Sequence, residues 1–162
     1  MILDPLSAQG EDWYRWRGPD SNGISTESNW STAWPDGQPI IAWRAEVGIG
    51  FSSFVVANSL AYTVGYADSQ ETLYCFDVSD GQVRWQYAYP ATLDDRDFEG
   101  GPTSTPTLDG ERLYFLSRPG ELFCMQAKSG AVLWTKQVAE EAEVRVPGWG
   151  FSAAPLIVGD KL

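Results

Sequence analysis

The sequence has no histidine, only two cysteines in 162 residues, and half as many basic residues as acidic ones, 11 against 22. Each shortage excludes something. Without histidine the chain lacks the usual general base, the usual zinc ligand and any Ser-His-Asp relay. Carboxylate chemistry and oxygen-ligated calcium stay open. The formal net charge of −11 argues against nucleic acid, whose affinity comes largely from Lys and Arg neutralising phosphates, and against an anionic membrane surface. The plainest consequence of that charge is solubility. No apolar run approaches the roughly 18–20 residues that span a bilayer. The start, MILDPLSAQGEDW, has neither a basic n-region nor a full apolar h-region and is not a complete signal peptide. Within this tail of residues 1–12, the stretch Leu6-Ser7-Ala8-Gln9 matches only the end of a cleaved or truncated one.

Aromatic residues are plentiful: eight Trp, seven Tyr and seven Phe, among 16 Gly and 10 Pro. Aromatic-rich segments broken by Gly and Pro turns indicate an all-β fold, and the length allows one domain with a real core. The segments also repeat. LYCFDVSDGQVRW (73–85) recurs as LFCMQAKSGAVLW (122–134), with Leu73/Leu122, Cys75/Cys124, Gly81/Gly130, Val83/Val132 and Trp85/Trp134 in matching places. Upstream, SFVVANSLAY (53–62) aligns with TPTLDGERLY (105–114), and AAPLIVGDKL (153–162) begins the pattern again. Trp43 sits where an earlier unit should end. The repeats run over about 53–103 and 104–152, with a third beginning at 153.

Turn signals at Ala57-Asn58-Ser59, Asp80-Gly81, Asp109-Gly110, Pro119-Gly120 and Ser129-Gly130 divide each unit into four strands. These are expected over 53–57, 60–66, 72–78 and 82–89, then 105–109, 112–117, 121–126 and 131–138. Four antiparallel strands in about 50 residues is the size of one β-propeller blade. The third strands are apolar on both faces, as in Leu73-Tyr74-Cys75-Phe76, which requires a sheet on each side. Gly81 and Gly130 suit tight turns with positive φ. Trp85 and Trp134 are expected to lie between neighbouring blades and to donate to a backbone carbonyl. The cysteines occupy equivalent places in successive blades. Stacked sheets lie about 10 Å apart, beyond the reach of a disulfide, so two free, buried thiols are expected.

These residues resemble the repeat of PQQ-binding-like (quinoprotein alcohol dehydrogenase-like) β-propellers. In that family an Ala/Cys-x-Asp-x-x-(Thr/Ser)-Gly-x-x-x-Trp stretch closes each blade. Asp77, Gly81 and Trp85 match it, as do Ser129, Gly130 and Trp134, while Gln126 replaces the Asp. WRGPDSNGIS (16–25) resembles the lead-in of secreted bacterial members. The resemblance covers about residues 13–162 and implies that Trp43, Trp85 and Trp134, with Gly81 and Gly130, dock blade on blade. It implies a closed ring of about eight blades, some 400 residues at about 50 each. The chain would then be an open segment with two complete blades and partial flanking ones, a fragment of a longer reading frame. Such a segment exposes apolar sheet faces and is expected to be marginal or self-associating.

The resemblance implies three functions. The first is a non-catalytic scaffold like the BamB-type lipoprotein of the outer-membrane barrel assembly machinery, with a protein partner. The second is part of a PQQ-dependent alcohol or sugar dehydrogenase. The third is a carbohydrate- or peptide-binding envelope propeller. All three imply the periplasm or the cell exterior. The enzymes hold PQQ beside an adjacent Cys-Cys pair in many members, with calcium on Glu, Asn and Asp. No Cys-Cys pair occurs here, so neither PQQ nor calcium is expected in this segment, although the full-length protein could carry both. The acidic loop offers Asp94, Asp95 and Asp97 as weak calcium candidates, against a plain solvated loop. Glu140, Glu141 and Glu143 read as a solvated loop too, and Asp20-Ser21-Asn22-Gly23 as an Asx turn. A more promising cluster is Phe51, Phe98, Glu99, Arg118, Trp149 and Phe151, which should gather near the mouth of the central channel and either cap it or bind a ligand or peptide there.

Overall fold

The computed structural model describes residues 10–28, 31, 33–96 and 98–162. It contains two four-stranded antiparallel sheets, each a meander in sequence order. The first comprises β1 (Val55–Ala57), β2 (Leu60–Ala67), β3 (Gln70–Asp77) and β4 (Val83–Pro90). The second comprises β5 (Thr107–Asp109), β6 (Arg112–Leu116), β7 (Glu121–Gln126) and β8 (Val132–Gln137). They are two blades of a β-propeller, open rather than closed into a ring.

Register explains much of the repeat. Val55, Tyr62, Cys75 and Trp85 stand opposite one another across the four strands of the first sheet. Thr107, Tyr114, Cys124 and Trp134 form the same row in the second. Cysteine is the small member between two rings, so Tyr62 approaches Trp85 at 5.9 Å and Tyr114 approaches Trp134 at 6.0 Å between centroids. Both ladders slip by one residue directly after the cysteine, at Cys75/Phe76 and at Cys124/Met125. These bulges bend the outer strand beside the tryptophan. Both thiols are free and fully buried.

The core lies between the sheets. Val55, Tyr62, Leu73, Cys75 and Tyr89 of the first meet Leu108, Leu113, Phe115, Phe123 and Met125 of the second. Phe123 is its hub, with ring contacts to Tyr89 at 5.0 Å, Tyr87 at 5.8 Å and Phe115 at 6.4 Å. Each such fully buried side chain contributes about 1.5–3 kcal/mol.

Several strand bounds need correcting. The inner strands are shorter than the predicted 53–57 and 105–109: β1 begins at Val55 and β5 at Thr107. Their first residues join neighbouring segments through side chains, as where the Ser53 amide donates to the Thr105 hydroxyl. β8 ends at Gln137, and the predicted strand residue Val138 opens a one-turn helix, α1 (Val138–Glu141). Trp13, expected only as the start of the folded region, pairs with Val56, while the carbonyl of Tyr14 accepts from the Leu108 amide. The chain start thus bridges both inner strands. The Asx turn forms at Asn22, whose side chain accepts from the Ile24 amide at 2.8 Å.

Candidate functional site

Each indole was expected on a neighbouring blade, and the contacts can be stated residue by residue. Trp43 donates its N–H to the Val78 carbonyl at 2.8 Å, and its ring lies over Gly81 and near Phe76. Trp85 donates to the Ala127 carbonyl at 2.8 Å, and its ring lies over Gly130. The Tyr62 hydroxyl donates to that same carbonyl at 3.3 Å. Trp134 contacts Tyr114 in its own sheet and stays 36% exposed. Gly81 and Gly130 have φ of 71° and 72°. Asp77 anchors the β3–β4 turn: it accepts from Ser79 and pairs with Arg84, and these contacts lower its carboxyl to about pKa 2.

The aromatic and charged cluster is organised by Arg118. The β6–β7 turn that carries it is closed by Ser117, whose amide donates to the Glu121 carbonyl at 2.8 Å and whose hydroxyl accepts from the Glu121 amide at 2.9 Å. The buried guanidinium donates to the carbonyls of Leu93 and Asp94, both at 3.3 Å, to Asp94 Oδ2 at 2.8 Å, and to the Trp149 carbonyl at 2.8 and 3.2 Å. One side chain therefore ties the loop after β4 to the loop after α1. The Asp94 carboxylate also accepts from Arg96 at 2.7 Å, and Arg96, then Arg118, hold its carboxyl below the usual range.

Arg118 also sits 4.9 Å from the Phe98 ring centre, and Phe98 lies 5.5 Å from Phe51. The Phe151 amide donates to the Arg118 carbonyl at 2.8 Å, and its ring lies against Gly120. The structure thus brings Phe51, Phe98, Arg118 and Phe151 together. Trp149 joins through its backbone while its side chain is largely exposed, and Glu99 is exposed. Of the calcium candidates, Asp94 is engaged by two arginines, Asp95 is exposed, and Asp97 lies outside the described residues. Among the described residues no three His, Cys, Asp or Glu side chains gather where they could hold a metal ion.

Beside this knot opens a cleft of about 990 Å³, walled by the turns and loops of both sheets on one side of the molecule. In its wall stands Glu71, 1% exposed, with the Tyr89 hydroxyl donating to Oε2. Burial pushes the Glu71 carboxyl up, against the opposing pull of the Tyr89 hydrogen bond and of Arg118. The Tyr89 phenol is pushed up as well, by burial and by the charges of Glu71 and Glu121. Composition and motif gave no sign of Glu71. The available signal was its phase: two and four residues before Leu73 and Cys75, it points to the same buried face.

Two antiparallel meanders packed face to face, with tryptophans at the same blade position, define a β-propeller repeat protein. The chain belongs to the family described as outer membrane protein assembly factor BamB, whose sequence pattern matches residues 69–162. The quinoprotein alcohol dehydrogenase PedH of Pseudomonas putida is 28% identical over 108 residues, 67% of this chain and 17% of that protein. A europium-containing methanol dehydrogenase superposes with TM-score 0.59 at 17% identity, over 75% of this chain and 21% of that one. The quinohemoprotein alcohol dehydrogenase of Comamonas testosteroni gives 0.51 at 19% identity, over 70% and 17%. The chain therefore spans about a fifth or less of each relative, and the structural likeness concerns the fold. Among the described residues no helix is long and apolar enough to cross a membrane.

Proposed function

We propose that this chain forms part of a non-catalytic propeller scaffold in the periplasm or cell exterior, whose loop face, with the cluster around Arg118, engages a protein partner. The observation that carries this reading is the use of the repeated side chains. Trp43 and Trp85 each donate to a backbone carbonyl and lie on a turn glycine, Gly81 or Gly130. On this reading they are docking residues, and Trp134 is the same residue awaiting its seat. The repeat is then architectural, and recognition falls to the loops. Residues 13–162 act as one propeller segment in this reading, and the aromatic cluster marks the rim of its channel.

The likeness to PedH favours a second reading, part of a PQQ-dependent dehydrogenase. The residues present do not fit that group: the cysteines are buried in separate sheets, and Asp94 is already held by two arginines. The scaffold reading therefore needs neither PQQ nor calcium in this segment. The test is titration of the full-length protein with PQQ and Ca²⁺, followed by tryptophan fluorescence, together with dye-linked alcohol oxidation. No saturable quenching and no turnover are expected. Saturable quenching with turnover would replace the scaffold with the enzyme.

A further inference from the structure

We propose that Asn22 is a site of covalent self-modification. In the folded chain its side-chain amide is lost through a cyclic imide formed with Gly23, and the Arg17 guanidinium directs that ring to reopen as isoaspartate. The inference concerns the loop ahead of the first blade and is independent of the scaffold reading.

The sequence holds three asparagines, Asn22, Asn29 and Asn58, and only Asn22 is followed by glycine. Ring closure needs the next residue's amide nitrogen to swing onto the side-chain carbonyl carbon. A Cβ on that residue obstructs the movement, and glycine has none. Asn22 and Gly23 are both exposed, so hydroxide and water reach them. Two hydrogen bonds prepare the reacting carbonyls. Asn22 Oδ1 accepts from the Ile24 amide at 2.8 Å, which stabilises negative charge arising there. The Asn22 main-chain carbonyl accepts from Arg17 Nη2 at 3.0 Å. Against these, the Gly23 amide donates to the Arg17 carbonyl at 2.9 Å, so attack begins when that bond opens locally. Hydroxide then takes the Gly23 amide proton, and the nitrogen's electron pair forms a bond to Asn22 Cγ. The Cγ–Nδ2 bond breaks, and the nitrogen leaves as ammonia after taking a proton from water. Water next adds to one imide carbonyl, whose bond to the Gly23 nitrogen breaks as that nitrogen regains a proton. Amide and water become carboxylate and ammonium, with nothing oxidised or reduced. Opening at the former side-chain carbonyl gives Asp. Opening at the main-chain carbonyl gives isoaspartate, whose free carboxylate carries the oxygen that Arg17 already holds. The guanidinium polarises that carbonyl and then pairs with the carboxylate. The loop also favours the longer product. Arg17, Gly18, Ser21 and Gly23 all have left-handed φ, at 63°, 78°, 54° and 76°, and an added main-chain carbon loosens that constraint.

The experiment incubates the 162-residue chain in warm, mildly alkaline buffer, folded and in guanidinium chloride. Samples are digested with pepsin at acidic pH, which limits further conversion. Liquid chromatography with electron-transfer fragmentation then separates Asn, Asp and isoaspartate at positions 22 and 58. In the folded chain, conversion at Asn22 about tenfold or more faster than at Asn58 is expected, because Ser59 carries a side chain where Gly23 has none. The ratio of isoaspartate to Asp should be about three- to tenfold higher in the folded chain than in the denatured one. Arg17→Gln should bring the folded ratio down to the denatured value. An intact Asn22 in the folded chain, while the denatured chain converts, would overturn the site. Equal ratios in the folded and denatured chains, or a ratio unchanged in folded Arg17→Gln, would overturn the direction given by Arg17. Thermal melts show whether that variant folds, and where it does not, the wild-type comparison of folded and denatured chain decides. Neither result bears on the PQQ titration.

Discussion

A Cβ placed on Gly130 would lie 2.6 Å from the ring of Trp85, which belongs to the other sheet. Gly81 stands in the same relation to Trp43, at 2.5 Å. Each glycine therefore satisfies two demands. It takes a positive φ at the turn before the outer strand, and it leaves the gap into which the preceding indole settles. On the scaffold reading proposed above, the 13-residue repeat joins a seat, Gly, to a plug, Trp, as where Trp85 lies over Gly130.

Gly130→Ala should destabilise the chain by about 2–4 kcal/mol, combining left-handed strain with displacement of the indole. Gly110→Ala is the control, because Gly110 also has positive φ (55°) but nothing within 4 Å of a new Cβ. It should cost only about 1–2 kcal/mol. Urea denaturation of both variants measures the difference, and equal losses would mean that the Trp85 contact contributes nothing.

Trp85→Phe keeps an aromatic ring and removes the N–H that reaches Ala127. It should cost about 1–2 kcal/mol. Trp134→Phe, in the same row of the second sheet but with no such carbonyl among the described residues, should cost about half a kcal/mol or less. Equal effects would break the link between the hydrogen bond and the stability of the seam.

The blades were legible because period and turns act locally. Asp80-Gly81 and Ser129-Gly130 fix the hairpins whatever lies around them, and the alternation in Leu73-Tyr74-Cys75-Phe76 reports that both faces are covered. The role of cysteine was half legible. Its smallness was evident, but that Cys75 sits between Tyr62 and Trp85 needs the register. Glu71 was not legible as a site residue, because its partner Tyr89 comes from the next strand and the cleft from loops of both sheets. The grouping of Phe51 and Phe98 followed from their shared place before inner strands, whereas Arg118 reaches them from the β6–β7 turn. That Arg118 would hold backbone carbonyls of two loops did not, since carbonyl direction is set by loop conformations such as the positive φ of Asp94.

Two carboxyl groups should give stability opposite dependences on pH. Asp77 is lowered from 3.8 to about 2 by Ser79 and Arg84, so its contribution is present above about pH 4 and is lost as pH falls through 2. Glu71 is raised above 4.5, mainly by burial. Its favourable contribution is full below 4.5 and is lost as pH rises through its folded value. Asp77→Asn should flatten the acid limb of a melting-temperature profile. Glu71→Gln, which still accepts from Tyr89, should melt higher than wild type by a margin that widens above pH 4.5. A margin independent of pH would show that Glu71 does not titrate differently on folding.

Arg118→Lys tests whether one side chain holds the loop face together. Lysine keeps the charge but not the planar fork that serves Leu93, Asp94 and Trp149 at once. Loss of that buried network should cost about 3 kcal/mol. It should also speed hydrogen exchange at two amides whose acceptors lie in the knot, Gly101 on the Leu93 carbonyl and Phe151 on the Arg118 carbonyl. Amides inside β3 and β7 should keep their protection, because the inter-sheet core around Phe123 does not involve Arg118. Uniform loss of protection across both sheets would instead make Arg118 a determinant of the whole fold. Unchanged exchange at Gly101 and Phe151 would mean the loops are held by the Phe51–Phe98 contact and the backbone alone. In either of those outcomes the cluster could no longer be treated as a separately organised recognition surface on the blades.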